Sequence, residues 1–203
     1  MVCSVAALAG AGLLAGCGSS DDGRVATTGG ATSVATSPPP AAATTPAPAA
    51  GIDPLAGAST APQTRAATSS ETALLTAVRV ARHEGYDRIV FEFRNAVPGY
   101  DVRYVPRPVT QDGSGEAVSV DGAFVARIRM DRALDADLSK ADAPPTYTGP
   151  ARIVPTTPEV AELVRSGGFE GVLTWAVGLR DRVDFRVTTL TDPPRLVVDF
   201  RNH

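Results

Sequence analysis

No aromatic side chain precedes Tyr86 in this 203-residue chain. All six phenylalanines, all four tyrosines and the single tryptophan lie between Tyr86 and Phe200. Because aromatic side chains supply much of the buried area of a core, the sequence divides into a core-poor N-terminal part and a C-terminal part able to fold. Cysteine is equally uneven, since both cysteines, Cys3 and Cys17, stand near the N-terminus. The C-terminal part therefore lacks the residues for a disulfide or a thiolate metal site.

Charge and catalytic side chains are also scarce. The formal net charge is −3, which does not predict binding to nucleic acid. The two histidines, His83 and His203, are too few for a histidine-rich metal site and poorly suited to a catalytic triad. His83-Glu84 would begin a zinc-protease motif only if a second histidine stood at position 87, which is Asp87. We predict no metal, no cofactor and no catalytic residue.

The N-terminus carries the pattern of a secretion signal. The apolar run from Val5 to Gly16 is too short to span a membrane as a helix but fits the apolar region of a signal peptide. Its end, Leu14-Ala15-Gly16-Cys17, resembles the bacterial lipobox. That resemblance implies removal of residues 1–16, diacylation of Cys17 and anchoring at the extracytoplasmic face of the cell membrane. The alternative is an ordinary free or buried cysteine after an Ala/Gly-rich helix.

Residues 17–71 are predicted to form a linker. Ala, Thr, Pro, Ser and Gly dominate this stretch, which cannot bury enough apolar surface to offset the entropy of ordering its backbone. Proline runs such as Pro38-Pro39-Pro40 favour an extended conformation. We therefore expect a disordered tether that holds a domain away from the membrane.

Residues 72–203 are predicted to form an all-β domain with one short helix. Short runs of β-formers separated by Gly, Pro and Asp indicate a β-sandwich or barrel. Asp121-Gly122 predicts a type I′ hairpin turn. A helix is expected after Thr157, because Val160, Leu163 and Val164 form a helical stripe. The predicted strands are Ala77–Arg82, Arg88–Arg94, Asp101–Val105, Ala117–Val120, Phe124–Met130, Gly171–Val177, Val183–Leu190 and Arg195–Arg201.

An internal repeat relates residues 78–95 to residues 185–202 without a gap. The two segments read VRVARHEGYDRIVFEFRN and FRVTTLTDPPRLVVDFRN, with seven identical positions. Each predicts a β-hairpin, and two equivalent hairpins predict a pseudo-twofold sandwich with one hairpin central to each sheet. Convergence of two amphipathic hairpins is the alternative. Strand alternation predicts that the core receives Ile89, Phe91 and Phe93 from one copy and Leu196, Val198 and Phe200 from the other.

The motif Pro194-Arg195-Leu196-Val197-Val198-Asp199-Phe200, together with residues 87–93, resembles the AMIN domain of N-acetylmuramoyl-L-alanine amidases and pilus secretins. Over residues 74–203 the chain is more similar to the AMIN-like domain of actinobacterial lipoproteins, through Gly99-Tyr100, residues 112–115 and residues 169–175. The resemblance implies a small two-sheet sandwich that targets proteins to the cell wall.

Five side chains are candidate ligand-binding residues. Arg88 and Arg195 could pair with carboxylates of wall peptides, although salt bridges to Glu92 and Asp199 are the alternative. The others are Tyr100, Arg103 and Tyr104, which lie near a predicted loop and are expected to be exposed. Trp175, inside a β-run, is predicted to be core rather than a sugar platform.

These features predict a non-catalytic lipoprotein whose domain binds peptidoglycan or another wall polymer. The alternatives are a module that docks an envelope enzyme or transporter, and a glycan hydrolase using two of its carboxylates.

Overall fold

The structure is a computed structural model that describes residue 53 and residues 55–203. The lipobox and most of the predicted linker lie outside these residues. No helix among them is long and apolar enough to cross a membrane. The strands of the described part are β1 (Gln63–Arg65), β2 (Ala73–His83), β3 (Tyr86–Arg94), β4 (Gly99–Val105), β5 (Val109–Thr110), β6 (Ala117–Val118), β7 (Phe124–Asp131), β8 (Ala133–Leu134), β9 (Arg152–Ile153), β10 (Val160–Phe169), β11 (Val172–Leu179), β12 (Phe185–Thr191) and β13 (Pro194–Arg201).

These strands form two main sheets. The six-stranded sheet has the order β1-β4-β7-β11-β10-β9, and the five-stranded sheet has the order β12-β13-β3-β2-β8. Their strand pairs are antiparallel except for the short parallel pair β2–β8. Each of the eight predicted strands overlaps an observed strand. The all-β prediction is therefore confirmed.

The core lies between the two sheets. Alternate residues of β3 and β13 point into it, and the predicted inward set is confirmed by its burial: Ile89, Phe91, Phe93, Leu196, Val198 and Phe200. Trp175 of β11 is fully buried and meets Phe91 edge to face, with ring centroids 5.8 Å apart. Such aromatic pairs add to the stabilisation that burial provides. The prediction that Trp175 is a core residue is confirmed.

The repeated hairpins are related by a pseudo-twofold axis within one sheet. β2–β3 is the first hairpin and β12–β13 the second, and β3 pairs with β13 at the centre of the five-stranded sheet. Val90 stands opposite Val197, its own counterpart in the repeat, so the axis passes between these residues. The expectation that each hairpin is central to its own sheet is wrong. The two copies instead join through their second strands, since β3 and β13 pair antiparallel in one continuous sheet.

The predicted helix after Thr157 is strand β10. Val160 and Leu163 both join the main core, whereas Val164 packs on the opposite side of the sheet. A β-bulge between Val160 and Glu162 shifts the alternation by one residue and so imitates helical spacing. The Thr157 hydroxyl does not cap a helix but donates to the carbonyl of Val160 at 2.9 Å.

Residues 106–123 form an arm that folds over the outer face of the six-stranded sheet. The arm contains the small β5–β6 sheet, and its Val109 and Val120 pack on Val125, Val164 and Ala176 of the large sheet. This second apolar cluster buries part of a face that would otherwise meet solvent.

Asp121-Gly122 is not a hairpin turn, because β6 pairs with β5 and not with β7. The dipeptide leads the arm back to the sheet. Gly122 has a φ of 114°, and a Cβ there would lie 2.7 Å from the backbone of Leu179. A glycine is thus required here by the positive φ and by the close approach of Leu179. The resulting Asp-Gly dipeptide looks in the sequence like a hairpin turn.

The folded part begins before the boundary predicted at residue 72. Leu55 is buried, and Ser59 exchanges two backbone hydrogen bonds of 3.1 Å with Phe185. β1 pairs with β4, while the Gln63 amide donates to the carbonyl of Phe185 at 2.7 Å. Residues 55–65 therefore connect both sheets. Their Ala, Ser and Thr content hides this role in the sequence.

Asp87 joins the sheets from inside. Its fully buried carboxylate accepts from the backbone N–H groups of Glu159 at 2.6 Å and Val160 at 3.0 Å. The other oxygen accepts from the side-chain amide of Asn202 at 2.7 Å. A buried carboxylate is tolerated only with such partners.

Asp87→Ala is expected to lower the free energy of unfolding by about 3 kcal/mol or more, since it removes the acceptor of three buried hydrogen bonds, from Glu159, Val160 and Asn202. Urea unfolding of the purified protein measures the change. Asp142→Ala, at an exposed aspartate, is the control and should have almost no effect. An equal effect of the two substitutions would contradict the structural role of Asp87.

Candidate functional site

The five candidate residues lie on two different sheets. Arg88 belongs to β3 and Arg195 to β13 of the five-stranded sheet, whereas Tyr100, Arg103 and Tyr104 belong to β4 of the six-stranded sheet. The structure therefore does not bring all five together.

Arg88 is held in an ion pair across the pseudo-twofold strand pair. Its Nε and Nη2 atoms donate to the two oxygens of Asp199 at 2.7 and 2.8 Å. These hydrogen bonds raise the pKa of the Arg88 guanidinium. The salt-bridge alternative to ligand binding therefore holds for Arg88.

Arg195 does not repeat this arrangement, although it stands opposite Glu92 as Arg88 stands opposite Asp199. Its guanidinium donates to the carbonyls of Pro193 and Asp192, both at 3.3 Å. Glu92 pairs instead with Arg79 at 2.7 Å. The symmetry of the backbone is thus broken by the side chains.

Along β4, alternation separates the tyrosines from the arginine between them. Tyr100 and Tyr104 pack against the main core, so the expectation that they are exposed is wrong. Arg103 points to the outer face and pairs with Asp101, with Nε 2.6 Å from Oδ1. Hydrogen bonding to Asp101 raises the pKa of Arg103.

Tyr104 ties β4 to the loop before β12. Its hydroxyl donates to the carbonyl of Val183 at 2.7 Å and accepts from the N–H of the same residue at 3.0 Å. Burial is the main cause that raises the pKa of Tyr104 to about 12. The guanidinium of Arg182 lies over the Tyr104 ring, 4.7 Å from its centroid, at a distance typical of cation–π contacts.

A groove of about 520 Å³ opens beside Tyr104 at one end of the sandwich. Its lining combines aromatic and cationic side chains: Tyr104, Arg107, Phe124 and Arg182. Phe124 is 38% exposed, and Arg107 donates to the carbonyl of Gly122 at 2.6 Å. Among the residues that the structure describes, none that lines the groove is acidic. We call it the aromatic–arginine groove.

Of the predicted residues, only Tyr104 lines this groove, and sequence reasoning missed Arg107, Phe124 and Arg182. The signals were weak. Arg182 lies in the charged loop between β11 and β12. Phe124 lies on the same face of β7 as the core residues Ala126 and Ile128, but it is the first residue of the strand and is partly exposed. Only the fold shows that three separate segments meet here.

Two buried carboxylates lie close together elsewhere. Burial is the main cause that raises the pKa of Glu159, and the nearby Asp181 and Asp87 add to it. Glu159 accepts from the N–H of Asp181 at 2.8 Å, and Asp87 holds the three donors described above. Neither lines the aromatic–arginine groove. Within the described residues, no group of three or more histidine, cysteine or acidic side chains could hold a metal ion.

Comparison with known proteins gives one match. The model of the AMIN-like domain family matches residues 73–202, well over half of the chain. No curated protein and no solved structure matches the chain.

Tyr104→Phe should lower the free energy of unfolding near pH 8 by about 1–3 kcal/mol, because the buried N–H and carbonyl of Val183 lose their partner. The raised pKa adds a pH dependence. The contribution of the raised Tyr104 pKa to the free energy of unfolding is fully present below pH 10 and is lost as the pH rises through about 12. Urea unfolding at several pH values, with tyrosinate absorbance, measures both effects. A variant that keeps an absorbance step near pH 12 would contradict the assignment to Tyr104.

Proposed function

The chain belongs to the AMIN-like domain family, and on that premise we propose that it binds a polymer of the cell wall without catalysing a reaction on it. Membership of this family indicates a binding module related to the cell wall. We further propose peptidoglycan as the polymer. Docking of an envelope enzyme or transporter stays a prediction of the sequence.

The aromatic–arginine groove is the observation that carries this proposal. Peptidoglycan presents sugar rings, which stack on aromatic faces, and peptide carboxylates, which pair with guanidinium groups. Phe124, which is 38% exposed, offers the first kind of contact, and Arg107 and Arg182 the second. Neither arginine has a carboxylate partner among the described residues. Both guanidinium groups can therefore pair with an external anion without breaking an ion pair.

The proposed absence of catalysis is supported by the state of the buried carboxylates. A glycosidase needs two carboxyl groups about 5–9 Å apart that face a substrate. Asp87 and Glu159 instead accept hydrogen bonds from backbone N–H groups. A carboxylate held in this way supports the fold and is poorly placed to reach a sugar.

We propose that acylated Cys17 anchors the protein in membrane lipid at the extracytoplasmic face. Two acyl chains give stable anchoring where a single chain is marginal. The residues from Cys17 to the folded part would then set how far the domain extends toward the wall.

Arg182→Gln and Phe124→Ala should each weaken binding to purified sacculi about 3- to 10-fold, since each removes one cation or one stacking surface. Co-sedimentation at about 0.15 M salt, where the screening length is about 8 Å, measures the bound fraction. Arg94→Gln removes the same charge as Arg182→Gln at an exposed position of the five-stranded sheet, and should bind like the unaltered protein. Absence of sedimentation, or equal loss in all three variants, would refute the proposal.

Cys17→Ser should move the protein from the membrane fraction to the soluble extracytoplasmic fraction, because serine cannot form the thioether that carries the diacyl group. Fractionation of cells and metabolic labelling with a palmitate analogue measure the change. Cys3→Ser is the matched control and should leave both readouts unchanged. Labelling that survives in Cys17→Ser would exclude this anchor.

A further inference from the structure

A second cavity lies between the arm and the outer face of the six-stranded sheet. Its volume is about 240 Å³, and its polar lining consists of Thr110, Asp112, Arg127, Ser166 and Thr174. Prolines and valines form the remaining walls. It shares Val105 and Pro106 with the aromatic–arginine groove, so the two spaces adjoin. We call it the arm cavity.

Arg127 is the unpaired cation of this cavity. Its Nε atom is buried and has no hydrogen-bond partner, and no ion pair reaches the guanidinium among the described residues. Its neighbours on the same face are satisfied, since Arg103 pairs with Asp101 and Arg129 with Asp131. Arg103 also stands directly opposite Arg127 across the strand pair. Like charges so placed are unfavourable, and a buried unpaired donor adds a further cost.

Asp112 is a fixed anion in the lining of the same cavity. One of its oxygens accepts from the hydroxyl of Thr174, and its backbone N–H donates to the carbonyl of Ser166 at 3.0 Å. The carboxylate lies so close to Gly167 that a Cβ there would collide with it. Asp112 and Arg127 line the same cavity without forming an ion pair with each other. The cavity thus offers a fixed anion and a cation that has no ion-pair partner among the described residues.

We propose that the arm cavity binds a terminal carboxylate with an adjacent N–H donor, as found at the C-terminus of a peptide. The carboxylate pairs with the fork of Arg127, and the N–H donates to Asp112. A water molecule occupies about 30 Å³ of liquid, so the cavity equals about eight waters, which suits one residue with its terminal carboxylate. That the peptide is a stem peptide of the wall rests on the proposed function, in which the adjoining groove holds the polymer.

The probe is Nα-acetyl-alanyl-alanine with a free carboxylate, compared with its C-terminal amide. NMR titration of the full chain should show binding of the acid, with amide shifts around Arg127 and Asp112, and at least tenfold weaker binding of the amide. Arg127→Gln should weaken binding of the acid at least tenfold, and Asp112→Asn should weaken it less. Arg127→Lys keeps the charge but loses the fork, so its affinity should fall in between. Arg94→Gln should match the unaltered protein.

Equal affinity for the acid and the amide, or unchanged affinity in Arg127→Gln, would overturn the proposal. The dispersion of each variant's spectrum shows whether it is folded, and Arg127→Lys provides the test if Arg127→Gln is not. Sacculus binding that depends on Arg182 but not on Arg127 would refute the binding of wall peptides in the arm cavity and leave the proposed function standing. Peptide binding that depends on Arg127, in a protein that sacculi do not retain, would refute the proposed function and leave the carboxylate site of the arm cavity standing.

Discussion

The carboxylate of Asp87 is the contact on which the relation between the two sheets depends. It lies in β3, at the centre of one sheet, and accepts from Glu159, just before β10 of the other sheet, and from Val160, the first residue of β10. Asn202, just after the last strand, donates to the same carboxylate and also to the carbonyl of His83. Because a carboxylate without partners would be very costly to bury, β3, β10 and the C-terminal residues must meet in one arrangement.

This contact also explains why the two halves of the repeat differ. The counterpart of Asp87 in the second copy is Pro194, which has no side-chain acceptor. The polar link between sheets therefore belongs to one half, while the strand pair β3–β13 keeps the symmetry of the backbone. A similar division separates Arg88, which is bonded to Asp199, from Arg195, which bonds to carbonyls. The two repeated hairpins supply four of the five strands of this sheet. Positions at which the two copies differ, such as Asp87 and Pro194, give the two halves different contacts.

Strand identity and core faces are predictable from the sequence, because alternation along β3 and β13 depends on each strand alone. Local patterns are misleading where a distant contact decides the structure. A bulge in β10 imitates a helix, and Gly122 imitates a turn because it lies against Leu179. The site is harder still. Tyr104, Phe124 and Arg182 meet only after β4, β7 and the loop before β12 are assembled, and no spacing in the sequence encodes that meeting.

The arm decides which charges on the outer face of the six-stranded sheet are available. Its valines need an apolar surface, which Val125, Val164 and Ala176 provide. Covering that surface buries the Nε atom of the half-buried Arg127 without a partner, while the arginines beside it keep their acidic partners. A lysine at this position could bend its flexible stem and keep its ammonium group in solvent. The guanidinium of an arginine is less strongly hydrated, and its donors stay in a fixed fork. The apolar packing of the arm on the sheet therefore also causes the burial of the unpartnered Nε atom of Arg127.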